Sequence, residues 1–137
     1  MLRGKCINPQ IIKALSLCGH GDKVLIADGN YPLKSKTSGA ERVYLALMPG
    51  LPTVPQVLES ILSACNVEKA TVMNPEDGTN PEIFDVFRKA LGIEVEQLGR
   101  YEFYDACCLP DVKLAISTGE TRTYANILLT VGCECGT

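Results

Sequence analysis

His20 is the only histidine in the chain, and imidazole is the one side chain whose ordinary pKa, about 6.5, lies close to neutrality. It sits in Cys18-Gly19-His20-Gly21-Asp22, just ahead of Val24-Leu25-Ile26-Ala27-Asp28. The first stretch reads as a helix ending on glycine. The second reads as a short buried strand that delivers an aspartate at its C-terminal end. A histidine and an aspartate at adjacent element ends can form a proton-transfer pair. A lone histidine is more often a surface or capping residue, but the flanking glycines and the strand-end carboxylate favour function.

Two more segments carry more polar chemistry than a turn requires. Arg100-Tyr101-Glu102-Phe103-Tyr104 joins a guanidinium to aromatic rings. Ser117-Thr118-Gly119-Glu120, followed by Tyr124-Ala125-Asn126-Ile127-Leu128-Leu129, sets donors and acceptors just ahead of an apolar strand. A polyhydroxylated ligand needs both kinds of group. Any one of these segments taken alone reads as a polar turn.

Asn8-Pro9 reads as N-cap and first helical position, opening a helix through Ile11, Ile12, Leu15 and Cys18 that Gly19 closes. Val24 to Ala27 is a strand, followed by a long polar loop to Gly39. Val43 to Leu47 reads as a second strand, broken by Pro49, Gly50 and Pro52. Thr53 caps a helix carrying Val57, Leu58, Ile61, Leu62 and Cys65, and Ala70 to Met73 is a third strand. Asn80-Pro81 repeats the cap signal for a helix with Ile83, Phe84, Phe87 and Leu91, closed by Gly92. Ile93 to Leu98 is a strand, Tyr101 to Cys108 a short helix, and Val112 to Ser117 and Ile127 to Val131 are apolar runs of strand length. The alternation predicts an α/β fold: a single three-layer domain, residues 1–137, with a mixed, largely parallel sheet flanked by helices.

The chain's 137 residues suit one domain. A net charge of −3, with the basic residues scattered, argues against a nucleic-acid surface. No apolar run approaches the roughly 20 residues of a membrane span. Met1-Leu2-Arg3-Gly4-Lys5 lacks the apolar core of a secretory signal, so a cytoplasmic location is expected. An odd count of seven cysteines then implies reduced thiols, with Cys18 and Cys65 on apolar helix faces. Cys133-Glu134-Cys135 is one residue short of the zinc-ribbon spacing and has no second pair, so a frayed tail is expected there and no metal site. Neither G-x-G-x-x-G nor a P-loop is present, which removes the usual marks of a nucleotide cofactor.

Taken in order, G-H-x-D at residues 19–22, D-x-x-x-P at 28–32, T-G-E at 118–120 and Y-x-N-I-L-L at 124–129 resemble the D-ribose pyranase / L-fucose mutarotase family. The resemblance spans nearly the whole chain. Ribose-type members tend to carry His where Arg100 stands. Fucose-type members carry Arg followed by a Phe/Tyr-rich stretch, so the chain looks closer to the L-fucose mutarotase branch. The resemblance implies a cofactor-independent isomerase that interconverts the anomers of a pyranose. It implies His20 as proton donor, with Asp28 as a second catalytic group, and a sugar held by Asp28, Arg100, Tyr124, Ala125 and Asn126. It also implies a homo-oligomer, a ring described as a decamer, with the pocket near subunit contacts.

The chemistry suits these residue types. Opening a cyclic hemiacetal protonates the ring oxygen while the anomeric hydroxyl loses its proton, and closure reverses both transfers. A group titrating near neutrality can donate and reaccept, which fits His20. Asp28 either accepts a sugar hydroxyl or orients the imidazole, and Glu120 is either a second base or a structural acceptor. Tyr31 or Tyr101 could stack on a sugar face. A non-catalytic sugar-binding protein accessory to uptake would use the same pocket. Cysteine hydrolase chemistry by Cys18 and His20 is disfavoured, because an i,i+2 pair at a helix end points its side chains apart. A generic oligomerisation module is the remaining alternative.

Overall fold

In chain order the elements are α1 (Pro9–Leu17), β1 (Lys23–Ala27), β2 (Glu41–Tyr44), α2 (Val54–Leu62), β3 (Val67–Met73), α3 (Glu82–Leu91), β4 (Val95–Leu98), α4 (Arg100–Cys107), β5 (Val112–Ser117) and β6 (Ile127–Val131). The computed structural model describes residues 1–135. The six strands form one sheet in the order β2-β5-β1-β6-β3-β4. The β1–β5, β2–β5 and β3–β4 pairs are parallel, whereas β6 runs antiparallel to both β1 and β3. The sheet is therefore mixed and largely parallel. Its topology gathers the C-terminal ends of the five parallel strands at one edge, beside the start of β6.

Both faces of the sheet are covered, which explains why β1 and β6 are near-continuous apolar runs. Val24 and Ile26 of β1 pack on one face with Ile11 of α1, Leu58 and Ile61 of α2, and Phe84 and Phe87 of α3. Leu25 and Ala27 point the other way, into a second cluster with Phe103 and Cys107 of α4 and with Tyr31 and Leu33 of the long loop after β1. Three layers result, as the alternation predicts, with α4 and that loop forming the third.

The helix starts follow from side-chain capping. The Asn8 carboxamide accepts from the Ile11 amide at 3.0 Å and Pro9 takes the first helical position. Thr53 and Gln56 form a reciprocal capping box at α2. Gly92 adopts φ 69° and closes α3, its amide donating to the Arg88 carbonyl at 2.8 Å.

Four expectations are corrected. Gly19 does not close α1 in a left-handed conformation. Cys18 leaves the helix extended, and Gly21, at φ 91°, makes the turn that contains His20. Asn80 does not cap α3, whose N-cap is Pro81 without a side-chain bond. The second strand ends at Tyr44 rather than Leu47, because its partner β5 ends at Ser117, opposite Tyr44. The third strand starts at Val67, opposite Val131, three residues before its apolar run. Glu68 and Lys69 were hidden from a hydrophobicity reading because their side chains face solvent.

Candidate active site

Asp28 follows directly on β1 and is only 4% exposed. Asn126 directly precedes β6, and the antiparallel pairing of β6 with β1 sets the two side by side. They bond in both directions: the Asp28 amide donates to Asn126 Oδ1 at 2.7 Å, and Asn126 Nδ2 donates to Asp28 Oδ2 at 3.2 Å. The Asn30 amide donates to the other carboxylate oxygen at 3.0 Å. Burial pushes the Asp28 carboxyl above the usual carboxylate range. Donation from the Asn30 and Tyr31 amides, the Asn126 side chain and the Ala125 amide pulls the other way without cancelling it.

Asp28 and Asn126 line a cavity of about 260 Å³ with Arg100, Tyr104, Tyr124 and Tyr31. Arg100 arrives as the first residue of α4, immediately after β4. Tyr124 holds φ 60°, the left-handed region that a non-glycine residue occupies at a cost of roughly 1–2 kcal/mol. Its phenol lies beside the Arg100 guanidinium and raises an already high pKa. Tyr31 meets the Tyr104 ring edge-on, centroids 5.6 Å apart, and its hydroxyl donates to the Lys36 carbonyl at 3.2 Å. Burial drives the Tyr31 phenol above its ordinary pKa, and with its hydroxyl turned to the Lys36 carbonyl Tyr31 forms part of the cavity wall. Met73, at the end of β3, adds apolar surface. The cavity thus offers a buried carboxylate, a guanidinium fork, an amide and a phenol beside aromatic faces, a set suited to the hydroxyls and ring of a small polyol.

The structure brings four of the expected site residues, Asp28, Arg100, Tyr124 and Asn126, to the lining of one cavity. Ala125 is buried in the core and does not line the cavity, its amide reaching the site only as an influence that lowers the Asp28 carboxyl pKa. The expected pairing of His20 with Asp28 does not occur within one chain. His20 lies before the N-terminal end of β1 and Asp28 beyond its C-terminal end. Five strand residues at about 3.3 Å each put them on the order of 15 Å apart or more. His20 Nε2 instead meets Glu68 Oε2 at 2.9 Å, with 61% of its side chain exposed. The two residues flank consecutive element ends in the sequence, but a strand carries its ends to opposite edges of the sheet.

Glu120 is a structural acceptor. It is 3% exposed, and both oxygens are occupied by backbone amides and by Arg122. Burial alone would raise its pKa, but the Arg122 guanidinium and the surrounding amides hold it below the usual range. Tyr101 is 73% exposed and does not line the cavity, so of the two stacking candidates only Tyr31 does. Met73 was missed, because an apolar residue ending a strand gives no sequence signal of a ligand wall.

The C-terminal segment also departs from expectation. Cys133 and Cys135 are joined by a disulfide rather than reduced, and the segment is anchored by Asn66 Nδ2, which donates to the Cys133 carbonyl at 3.2 Å. Cys18 and Cys65 remain free and pack against the core as foreseen. Among the described residues, no group of three or more His, Cys, Asp or Glu side chains is placed to hold a metal ion, and no helix is long and apolar enough to cross a membrane.

A pocket of hydroxyl-binding groups outside the C-terminal strand ends of a largely parallel α/β sheet places the molecule among small-ligand binding α/β proteins. More narrowly, the chain belongs to the RbsD / FucU transport protein family, whose model matches residues 1–134. A D-ribose pyranase of Clostridium novyi is 31% identical over 133 residues, covering 96% of this chain and 98% of the relative. A D-ribose pyranase of Proteus mirabilis is 33% identical, with the same coverage. Bacillus subtilis RbsD complexed with D-ribose superposes with a TM-score of 0.86 at 29% identity, covering 98% of this chain and 100% of that one. The fucose mutarotase of Streptococcus pneumoniae in complex with L-fucose gives a TM-score of 0.77 at 30% identity, covering 94% and 95%.

Proposed function

We propose that this protein is a cofactor-independent mutarotase that interconverts the α and β anomers of a pyranose in the cytoplasm. The observation that carries the reading is Asp28. It is a buried carboxylate locked to Asn126, bordering a cavity that also presents Arg100 and Tyr124. Relatives named as D-ribose pyranases and a fucose mutarotase support it. In this reading Asp28 accepts a sugar hydroxyl, Arg100 and Tyr124 donate to others, and the aromatic walls cover an apolar ring face. Ring opening needs a proton at the ring oxygen and removal of one from the anomeric hydroxyl.

His20 is the proton donor, and it is supplied by a second copy of the chain. Its own Asp28 is out of reach, yet His20 stands exposed on a tight turn, oriented by Glu68. The site is then completed only in a homo-oligomer, which agrees with the ring assembly that the sequence resemblance implies.

The preferred sugar is L-fucose or a similar pyranose. Arg100 and the aromatic run after it support that branch, although the ribose-type relatives share the fold. Saturation-transfer NMR on a panel of monosaccharides tests the function. Transfer between the anomer signals faster than in buffer is expected, greatest for L-fucose. Sugar signals that contact the protein without passing saturation between anomers would instead mean a non-catalytic binding protein.

A further inference from the structure

We infer that Glu120 is a positioning residue that holds the two walls of the cavity in register, using Arg122 as its clamp. Its main chain holds the Asp28 wall: the Gly29 amide donates to the Glu120 carbonyl at 2.9 Å. On the other side of Asp28, Thr118 Oγ1 donates to the Ala27 carbonyl at 2.8 Å and accepts from the Glu120 amide at 3.1 Å. Asp28 is thus bracketed by residues tied to one short turn.

The Glu120 side chain holds the segment that leads to Tyr124. Oε2 accepts from the Thr121 and Arg122 amides at 3.1 and 3.2 Å and from Arg122 Nε at 3.1 Å. Oε1 accepts from Arg122 Nη2 at 2.8 Å and from the Val54 amide, the first of α2, at 3.3 Å. Two residues after Arg122, the chain enters the left-handed conformation of Tyr124 and then reaches Asn126. A left-handed tyrosine persists only where its surroundings over-determine it. The fork of Arg122 on Glu120, with the two amides beneath it, fixes the turn that leads into it.

Glu120 reaches Tyr124 and Asn126 only through the backbone and does not line the cavity that holds them. It therefore shapes ligand affinity more than the proton transfers. For this kinetic part the inference rests on the mutarotase reading. The test compares Glu120→Ala, Glu120→Gln and Arg122→Ala with the parent, by anomer exchange against L-fucose and D-ribose concentration and by amide hydrogen exchange over residues 121–126. Arg122→Ala leaves the buried carboxylate its amide partners, so it keeps the test alive if Glu120→Ala does not fold. Expected is a rise in KM of roughly tenfold with kcat within about twofold, and faster amide exchange at Tyr124 to Asn126. Glu120→Gln, which retains one acceptor oxygen, should be milder than Glu120→Ala. A folded Arg122→Ala or Glu120→Gln with parental KM and parental amide protection overturns the inference. If the parent exchanges neither sugar, the mutarotase reading fails, and amide protection alone decides the role of Glu120.

Discussion

At Asp28, burial and hydrogen bonding oppose each other and burial prevails. Because folding raises this carboxyl above its ordinary 3.8, the folded chain holds the proton more tightly than the unfolded chain. That contribution to stability is complete below 3.8 and is lost as the pH rises through the raised folded value. Asp28→Asn removes the titration while keeping the shape. Its stability relative to the parent should therefore rise as the pH climbs from below 3.8 to neutrality. Denaturant unfolding of both proteins across that interval measures the difference, and a flat difference would show that the carboxyl is not perturbed by burial. Anomer exchange by the same variant should fall by about 10²-fold or more. In the parent, the acid limb of the pH profile should lie above the ordinary carboxylate range.

Arg100 carries the prediction on sugar choice. A guanidinium offers several fixed donors where a histidine offers at most two, so each satisfies a different arrangement of hydroxyls. Arg100→His should lower exchange on L-fucose more than on D-ribose, with a difference of about tenfold if the bound sugar loses one hydrogen-bonding partner. Rates on both sugars for parent and variant decide it, and equal losses would make Arg100 a support that does not read the substrate. These residues were legible in the sequence because polar types crowded the ends of apolar runs. Met73 was not, since its role depends on which strand end it shares with Asp28. Glu120 was visible as a residue, but its task was open until its partners were known.

Among the elements, the turn after β5 is packed so closely that glycine is required within it. A Cβ on Gly119 would lie 2.6 Å from the Leu51 carbonyl oxygen and 2.8 Å from the Leu51 amide nitrogen, with the Met48 carbonyl also in conflict. These are backbone atoms of the 48–52 loop, which in turn receives the Gly119 amide at the Pro52 carbonyl, 3.0 Å. Gly119→Ala should therefore cost about 1–3 kcal/mol. It should lower Tm by at least about 3 °C and disturb the ligand walls that Glu120 holds. Thermal unfolding checks the stability, and a variant as stable as the parent would mean that this loop yields easily. Signals for β5 and β6 lay in apolar runs matching their full length, and the caps at Asn8 and Thr53 lay in local chemistry. The end of β2 and the start of β3 are set instead by the lengths of their partners, information that no window along the chain contains.

For the whole molecule, β1 separates the two groups assigned to the proposed proton transfers, with His20 at one edge of the sheet and Asp28 at the other. The sequence resemblance names both residues without revealing that β1 carries them to opposite edges of the sheet, because distance along a strand is invisible in a motif. If each site takes His20 from one copy and Asp28 from another, two different inactive variants can repair each other. His20→Ala alone and Asp28→Asn alone should each lose at least about 10² of the exchange rate while keeping the parental oligomeric size. Unfolded together and refolded at equal amounts, random neighbours restore an intact site in about a quarter of positions, where an Asp28-bearing chain meets a His20-bearing one. Exchange should then recover to about a quarter of the parental rate per chain. The measurement is saturation-transfer NMR on the mixed oligomer, with light scattering to establish that the chains have reassembled. No recovery in a reassembled mixture would mean that His20 does not act across the subunit boundary, and the proton donor would have to be sought within the cavity itself.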